Sequence, residues 1–433
     1  MHNYRFLFLF FLPLLGFGQD WKPQNGSKDS RNHYTAFKNA NIYSENGEML
    51  RDATLLIQKN KIISLGISPE LPKNTLIIDL KGKFIYPSFI DLYSHYGIEK
   101  IQKKEQKSRK RPQIESKKAN QFYWNESIHP EVSSTALFQP NSKSAGKIRK
   151  MGFGTVLTHQ QDGIIRGTGT VVSLLDQHDD QRQAVLKSEA AMEYAFKKGS
   201  SKQTYPNSLM GIIALIRQIH YDLRYYQSAT DVPYNHSLEA LKKANEIPKI
   251  MDALNTASLF RADKIAKEFD FQFILKGNGT EYERAEEVKA MNAPLIVPVN
   301  FPKPYDVTDP YDARNLSLSQ MKSWELAPYN LGILAKKEVP FAITADGVEN
   351  SKTFFDNLKK ALQSGLSSKD LIHALTMKPA ELIRMDQLLG SLSPGKLANF
   401  IICADSISAK DFKIHSNWVQ GKEYPIQAIE EIA

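Results

Sequence analysis

The feature that most constrains this chain is an alternation. Through its middle, short apolar runs take turns with longer runs of helical period. The strand-like runs are "FIDLYS", "GTVLTH", "GTVVSLLD", "FQFILKG", "APLIVPVN" and "PFAITAD". Helical runs occupy 188–198, 207–226, 237–245, 257–269, 281–291, 317–337, 353–364 and 368–377. Several carry a start signal, such as Ser367 or Ser368 ahead of "KDLIHALTM". Strand and helix runs in alternation predict parallel strands joined by crossover helices.

The two ends read differently. From Ala36 to Lys83 come β-type runs broken by turns: "NANIYS", then "ENGE", "ATLLIQKNKIISLG" and "TLIIDLKGKFIYP". The same texture returns in "GSLSPGKLANFIICADS" and "HSNWVQGKEYPI". Two β pieces around one long centre predict a layer made from both chain ends. The expected boundaries are 35–85 with 388–425 for the β layer and 86–387 for the α/β unit. A chain of 433 residues has room for that pair.

"MHNYRFLFLFFLPLLGFGQD" combines Arg5, an apolar run from Phe6 to Leu15, and the small residues Gly16 and Gly18. That pattern predicts a signal peptide over 1–18, and hence an exported protein, followed by a flexible polar lead over 19–34. The apolar run is short for a membrane span, so none is expected after cleavage; an uncleaved anchor is the other reading. Cys403 is the sole cysteine, which excludes an intrachain disulfide, and its apolar surroundings "NFIICADS" predict a buried, inert thiol. The net charge of +9 is concentrated in 99–118, where nine Lys or Arg face three Glu. Without interleaved aromatics this reads as a solvated loop, and no nucleic acid is expected as partner.

Three stretches together, "GKFIYPSFIDLYSH", "ITADG" and "ALTMKPAELIRMDQLLGSLSPGKLANFIICADS", resemble the amidohydrolase superfamily, particularly its imidazolonepropionase-like and dihydroorotase-like branches. The last is the most specific: Lys378-Pro379-Ala380, Gly390-Ser391-Leu392, Gly395-Lys396-Leu397-Ala398-Asn399 and Asp405 fall in the family's order. The resemblance spans about Tyr34 to Gly421. It implies a (β/α)8 TIM-type barrel flanked by a small β-sandwich from both termini. It also implies hydrolysis of C–N bonds in non-peptide or cyclic amides by hydroxide on a divalent metal, zinc above all, with a small-molecule substrate. A metal serves because water must be ionised near neutral pH while the carbonyl is polarised. Ligands should come from the C-terminal ends of several strands.

Measured against that pattern, ligands are missing. The first strand should give Asp-x-His-x-His and gives Asp91-Leu92-Tyr93-Ser94-His95, keeping one imidazole. Tyr93 is a poor zinc ligand with an ordinary pKa near 10. His95 reads equally as a ligand or as a hydrogen-bonded residue at the barrel mouth. Lys276 stands near the expected fifth-strand histidine; it reads as a rim charge, or as a carboxylated bridge between metals, although the family usually places that lysine on the fourth strand. The sixth strand offers Asn300 instead of histidine. Asp346 in "ITADG" matches the family's eighth-strand aspartate, a metal ligand and proton shuttle in an active enzyme and a capping carboxylate otherwise. Outside the family pattern, His159 in "GTVLTHQQDG" joins His95 and Asp346 as a two-His-one-carboxylate candidate set, or is a plain polar strand end. Tyr93, Lys276 and Asn300 are the substrate-side candidates. His129, His178, His220, His236, His373 and His415 lack a second ligand at helical spacing, and "GxSxG" is absent.

Three functions therefore stand: a hydrolase with a reduced metal site; a non-catalytic module, without metal, that supports an intact amidohydrolase unit; and a polysaccharide- or anion-binding surface protein that uses the basic loop. The second follows from a further resemblance, to the N-terminal unit of long exported proteins, common in the Bacteroidetes, that carry two such units in tandem.

Overall fold

The computed structural model describes residues 33–101, 112–179 and 181–426. The expected signal peptide, nearly all of the lead and the centre of the basic run lie outside them. The strands are β1 (Tyr34–Tyr43), β2 (Met49–Gln58), β3 (Lys61–Gly66), β4 (Leu76–Asp79) and β5 (Phe84–Pro87). Then come β6 (Phe89–Ser94), β7 (Phe153–Thr158), β8 (Ile165–Ser173), β9 (Val185–Ala195) and β10 (Lys249–Asp252). The chain continues through β11 (Phe273–Lys276), β12 (Leu295–Pro298), β13 (Phe341–Thr344), β14 (Phe400–Cys403), β15 (Ile414–Val419) and β16 (Lys422–Pro425).

One sheet runs β16-β15-β14-β5-β1-β2-β3, with β4 paired to β1. The two chain ends meet where β14 lies antiparallel to β5, Phe400 opposite Pro87. Phe37, Phe400 and Trp418 fill its interior, with ring centroids 4.9 to 5.4 Å apart. Each such pair adds about 0.5–1.5 kcal/mol beyond its burial. The β15–β16 hairpin closes on Gln420 and Gly421 at φ +51° and +76°, the positive pair that a two-residue turn between right-twisted strands needs. Cys403 is buried on β14, as expected.

The second sheet is β13-β12-β11-β10-β9-β8-β7-β6. Its ends come together, since Ala345 N–H donates to Asp91 Oδ2 at 3.2 Å, but among the described residues no ladder joins them. Strands β9 to β13 are parallel, as are β6 and β7. A strict (β/α)8 pattern does not hold, because β8 runs antiparallel to both neighbours. The reason is connection length: 159–164 and 174–184 are too short for a crossover helix, and antiparallel pairing is what short links permit.

The helix expected over 188–198 is part of β9. Its "EAAMEYA" has helical propensity, yet Ala190 to Ala195 are buried on both faces between β8 and β10, so pairing and burial override propensity. β10 was not expected at all. Helices cover the outside; Leu209–Ser228 buries Ile212, Leu215, Ile216, Ile219 and Leu223 along one stripe and leaves Tyr221, Arg224 and Tyr225 exposed. Among the described residues no helix is long and apolar enough to cross a membrane.

Candidate functional site

The C-terminal mouth of the second sheet gathers charge around one carboxylate. Asp252, the last residue of β10, is buried, and its Oδ2 accepts from Tyr93 Oη at 2.8 Å, Lys197 Nζ at 3.1 Å and Arg166 Nη2 at 3.3 Å. Its other oxygen, Oδ1, faces Lys276 Nζ at 3.7 Å. Arg166 also donates through Nη1 to Tyr93 Oη at 2.9 Å, so the phenol accepts from one side and donates to the other. Lys276, the last residue of β11, continues to Asp346 Oδ2 at 2.8 Å and lies 4.4 Å from the Tyr93 ring centroid. The antiparallel β8 makes this possible: its beginning, not its end, reaches the mouth, and that is where Arg166 sits.

Electrostatics follow from burial and from these partners. Burial raises the Asp252 pKa, but Lys276, Arg166 and Lys197 outweigh it and hold the carboxyl at about 2. Burial drives the Tyr93 phenol well above its ordinary value, so it is a neutral donor. Asp91 is pushed up to about 6 by burial, although its side chain accepts from the Tyr93 and Ala345 amides. It ties β6 to the end of β13.

A cavity of about 670 Å³ opens beside this network, with Tyr93, His95, Tyr96, Lys147, Met151 and Asp346 among its walls. His95 stands exposed on the rim. Its pKa is lowered by partial burial and by Lys100, while Asp346 pulls the other way. Asn300 is exposed, and its side chain abuts Gly347; a Cβ there would stand 2.5 Å from Asn300 Nδ2. His159 lies elsewhere, fully buried and edge-on to the Tyr93 ring with centroids 4.8 Å apart. Its Nδ1 is 3.8 Å from Glu193 Oε1, and among the described residues neither side chain has a hydrogen-bond partner. Burial lowers the His159 pKa well below its usual value and raises that of Glu193 well above, so it favours the neutral form of each.

Tyr93, Lys276 and Asp346 are thus brought together and joined to Asp252, Arg166 and Lys197. The tentative metal set is not: among the described residues no group of three or more His, Cys, Asp or Glu is placed to hold a metal ion, so His95, His159 and Asp346 do not form one. His159 sits inside the barrel against Tyr93, and the Asp346 carboxylate is engaged by Lys276. Lysine and arginine are donors only, so Lys276, Arg166 and Lys197 offer no ligand to a metal.

Arg166, Lys197, Glu193 and Asp252 were missed. An Arg within the otherwise apolar start of β8 and an Asp closing "PKIMD" were the available signals.

The fold is an α/β barrel with a β layer built from both chain ends, and its mouth is ion-paired. The model of the amidohydrolase family matches residues 155–424, and the chain belongs to that family. Its fold is similar to that of an amidohydrolase from Thermotoga maritima MSB8, with TM-score 0.70 at 20% identity over 90% of this chain and 99% of that one. It is also similar to a Xaa-Pro dipeptidase solved with methionine in its active site, with TM-score 0.51 at 14% identity over 90% of this chain and 100% of that one. A molinate hydrolase gives TM-score 0.51 at 15% identity over 91% and 95%. No curated protein matches the sequence significantly.

Proposed function

We propose that this protein is an exported amidohydrolase-family member that binds a small molecule at the barrel mouth but does not hydrolyse C–N bonds through metal-bound hydroxide. One observation carries the reading: Asp346, the residue in the position of the family's proton shuttle, is held at 2.8 Å by Lys276, which also faces Asp252 at 3.7 Å. Two carboxylates already engaged by an ammonium ion present little to a metal. The adjoining cavity, with Tyr96, Met151 and Lys147 on its walls, is of the size that takes a small organic ligand.

The supporting role beside an intact hydrolase unit is the second reading. It is favoured by the segment after β12, where Tyr311, Leu318, Met321 and Trp324 are all exposed and helix Leu318–Leu326 buries no residue.

Metal analysis of the dialysed full chain tests the principal reading. Sub-stoichiometric zinc, iron and manganese, unchanged in His95→Ala and Asp346→Ala, is the expected result. One tightly held metal per chain, released by either substitution, would restore the hydrolase with a reduced metal site.

A further inference from the structure

We propose that a cavity at the end of the barrel opposite the mouth, beside the start of β10, is a binding site for a small aromatic carboxylate. The inference uses none of the mouth residues and stands apart from the metal-free reading.

The cavity, of about 290 Å³, lies between helix Leu209–Ser228 and the starts of β10 and β11, with Tyr194, His220, Arg224, Lys249, Phe269 and Phe271 among its walls. Lys249 opens β10 and Asp252 closes it, so this cavity and the ion-paired mouth sit at the two ends of one strand.

The first support is charge. Lys249 is only 7% exposed, and its ammonium donates to the Asn245 carbonyl at 2.9 Å and reaches that of Ile247 at 3.5 Å. Among the described residues it has no ion-pair partner; the exposed Glu246 attracts it without forming a pair, and Arg384 repels it. A buried ammonium ion whose partners are carbonyls carries a charge that nothing beside it cancels, and one of its three donors is left over. Arg224 stands at the rim, 3.5 Å from Asp270, whose side chain is 91% exposed. Such a pair is worth little in water, so the guanidinium is free to turn to a ligand. Burial first, then Lys249 and Arg224, lower the His220 pKa to about 4, so the imidazole is a neutral wall in an electropositive cavity.

The second support is the kind of surface. His220 is 6% exposed and meets Phe269 and Phe271 at centroid distances of 5.0 and 5.3 Å, with Tyr194 stacked on it at 6.0 Å. Asp270, at φ +60°, turns the chain between the two phenylalanines, and both rings reach the same imidazole. Aromatic walls favour an aromatic guest in edge-to-face or offset contact, and the volume suits one ring with its carboxylate. Lys249 lies 5.3 Å from the Phe271 centroid, so a ring set against that wall brings its carboxylate to the ammonium ion. An inorganic anion would meet the charge and leave the aromatic walls unused.

Benzoate is the probe, titrated into the full chain, with calorimetry and thermal unfolding as readouts. Wild type should bind it saturably with a Kd of about 1 mM or tighter and a rise in Tm, and should bind benzamide and inorganic phosphate at least roughly tenfold more weakly. Lys249→Met, which keeps the length and removes the charge, should weaken benzoate at least roughly tenfold. If Lys249→Met does not fold, Arg224→Gln at its exposed position decides: a loss of about threefold or more supports the site, and unchanged affinity overturns it. No saturable benzoate binding below about 10 mM overturns the proposal, as does phosphate binding as tightly as benzoate. Unchanged benzoate affinity in Lys249→Met also overturns it, and loss of binding in Lys147→Gln would then place the ligand at the mouth.

Discussion

Two neighbouring polar groups inside one barrel have taken opposite routes to tolerable burial. Tyr93, Arg166, Asp252 and Lys276 form a closed set in which every charge meets an opposite charge or an aromatic face. A ring's width away, His159 and Glu193 are equally buried, approach only to 3.8 Å, and have no hydrogen-bond partner among the described residues. In the first set the nearby cations outweigh burial and hold the Asp252 pKa low. In the second, burial outweighs the nearby charges and favours the neutral form of each group. Proximity within a core does not decide charge state; the number and direction of partners does.

The comparison is broken most sharply at Asp252. Asp252→Ala strands the buried Arg166 guanidinium and should cost about 3–5 kcal/mol in denaturant unfolding. A loss below about 1 kcal/mol would mean the set is not mutually compensating. Next comes pH. The Asp252 pKa is lower in the folded chain, about 2 against 3.8, so its contribution is present above 3.8 and lost as pH falls through 2. That window is worth about 2 kcal/mol, read as the narrowing gap between wild type and Asp252→Asn in unfolding free energy. Glu193 should show the opposite sign. Its folded pKa is raised, so its contribution is present below 4.5 and fades as pH rises through the folded value. The smallest effect is expected where partners are lacking: His159→Leu with Glu193→Met should be neutral or stabilising by about 1–2 kcal/mol, since apolar atoms replace unsatisfied ones. A clear destabilisation would reveal a partner that this geometry does not display.

Much of the frame was legible because it is written in local patterns. "FIDLYS" and "PFAITAD" announce strands by apolar runs, and "GSLSPGKLANFIICADS" by turns around one. The site was half legible. Tyr93, Lys276 and Asp346 lie at or beside strand ends, and the resemblance to the family's ligand pattern is what singled them out; the structure places them together. Arg166 was hidden because nothing in the sequence says that β8 is inverted, and inversion is what brings its beginning to the mouth. Asp252 was hidden because "KIMD" is too short for a period to register. His159 was visible, but a strand buried on both faces does not reveal which way the residue after it turns, and it turned inward.

The inverted strand also bears on how the chain reaches this structure. β7, β8 and β9 form a meander whose partners are close in sequence, whereas Asp91 and Ala345, at the seam between β6 and β13, are 254 residues apart. Closing a long loop costs more entropy than closing a short one, and local pairings are the faster to form. The β7–β8–β9 patch, which carries Arg166, is therefore expected to form faster than the seam between β6 and β13.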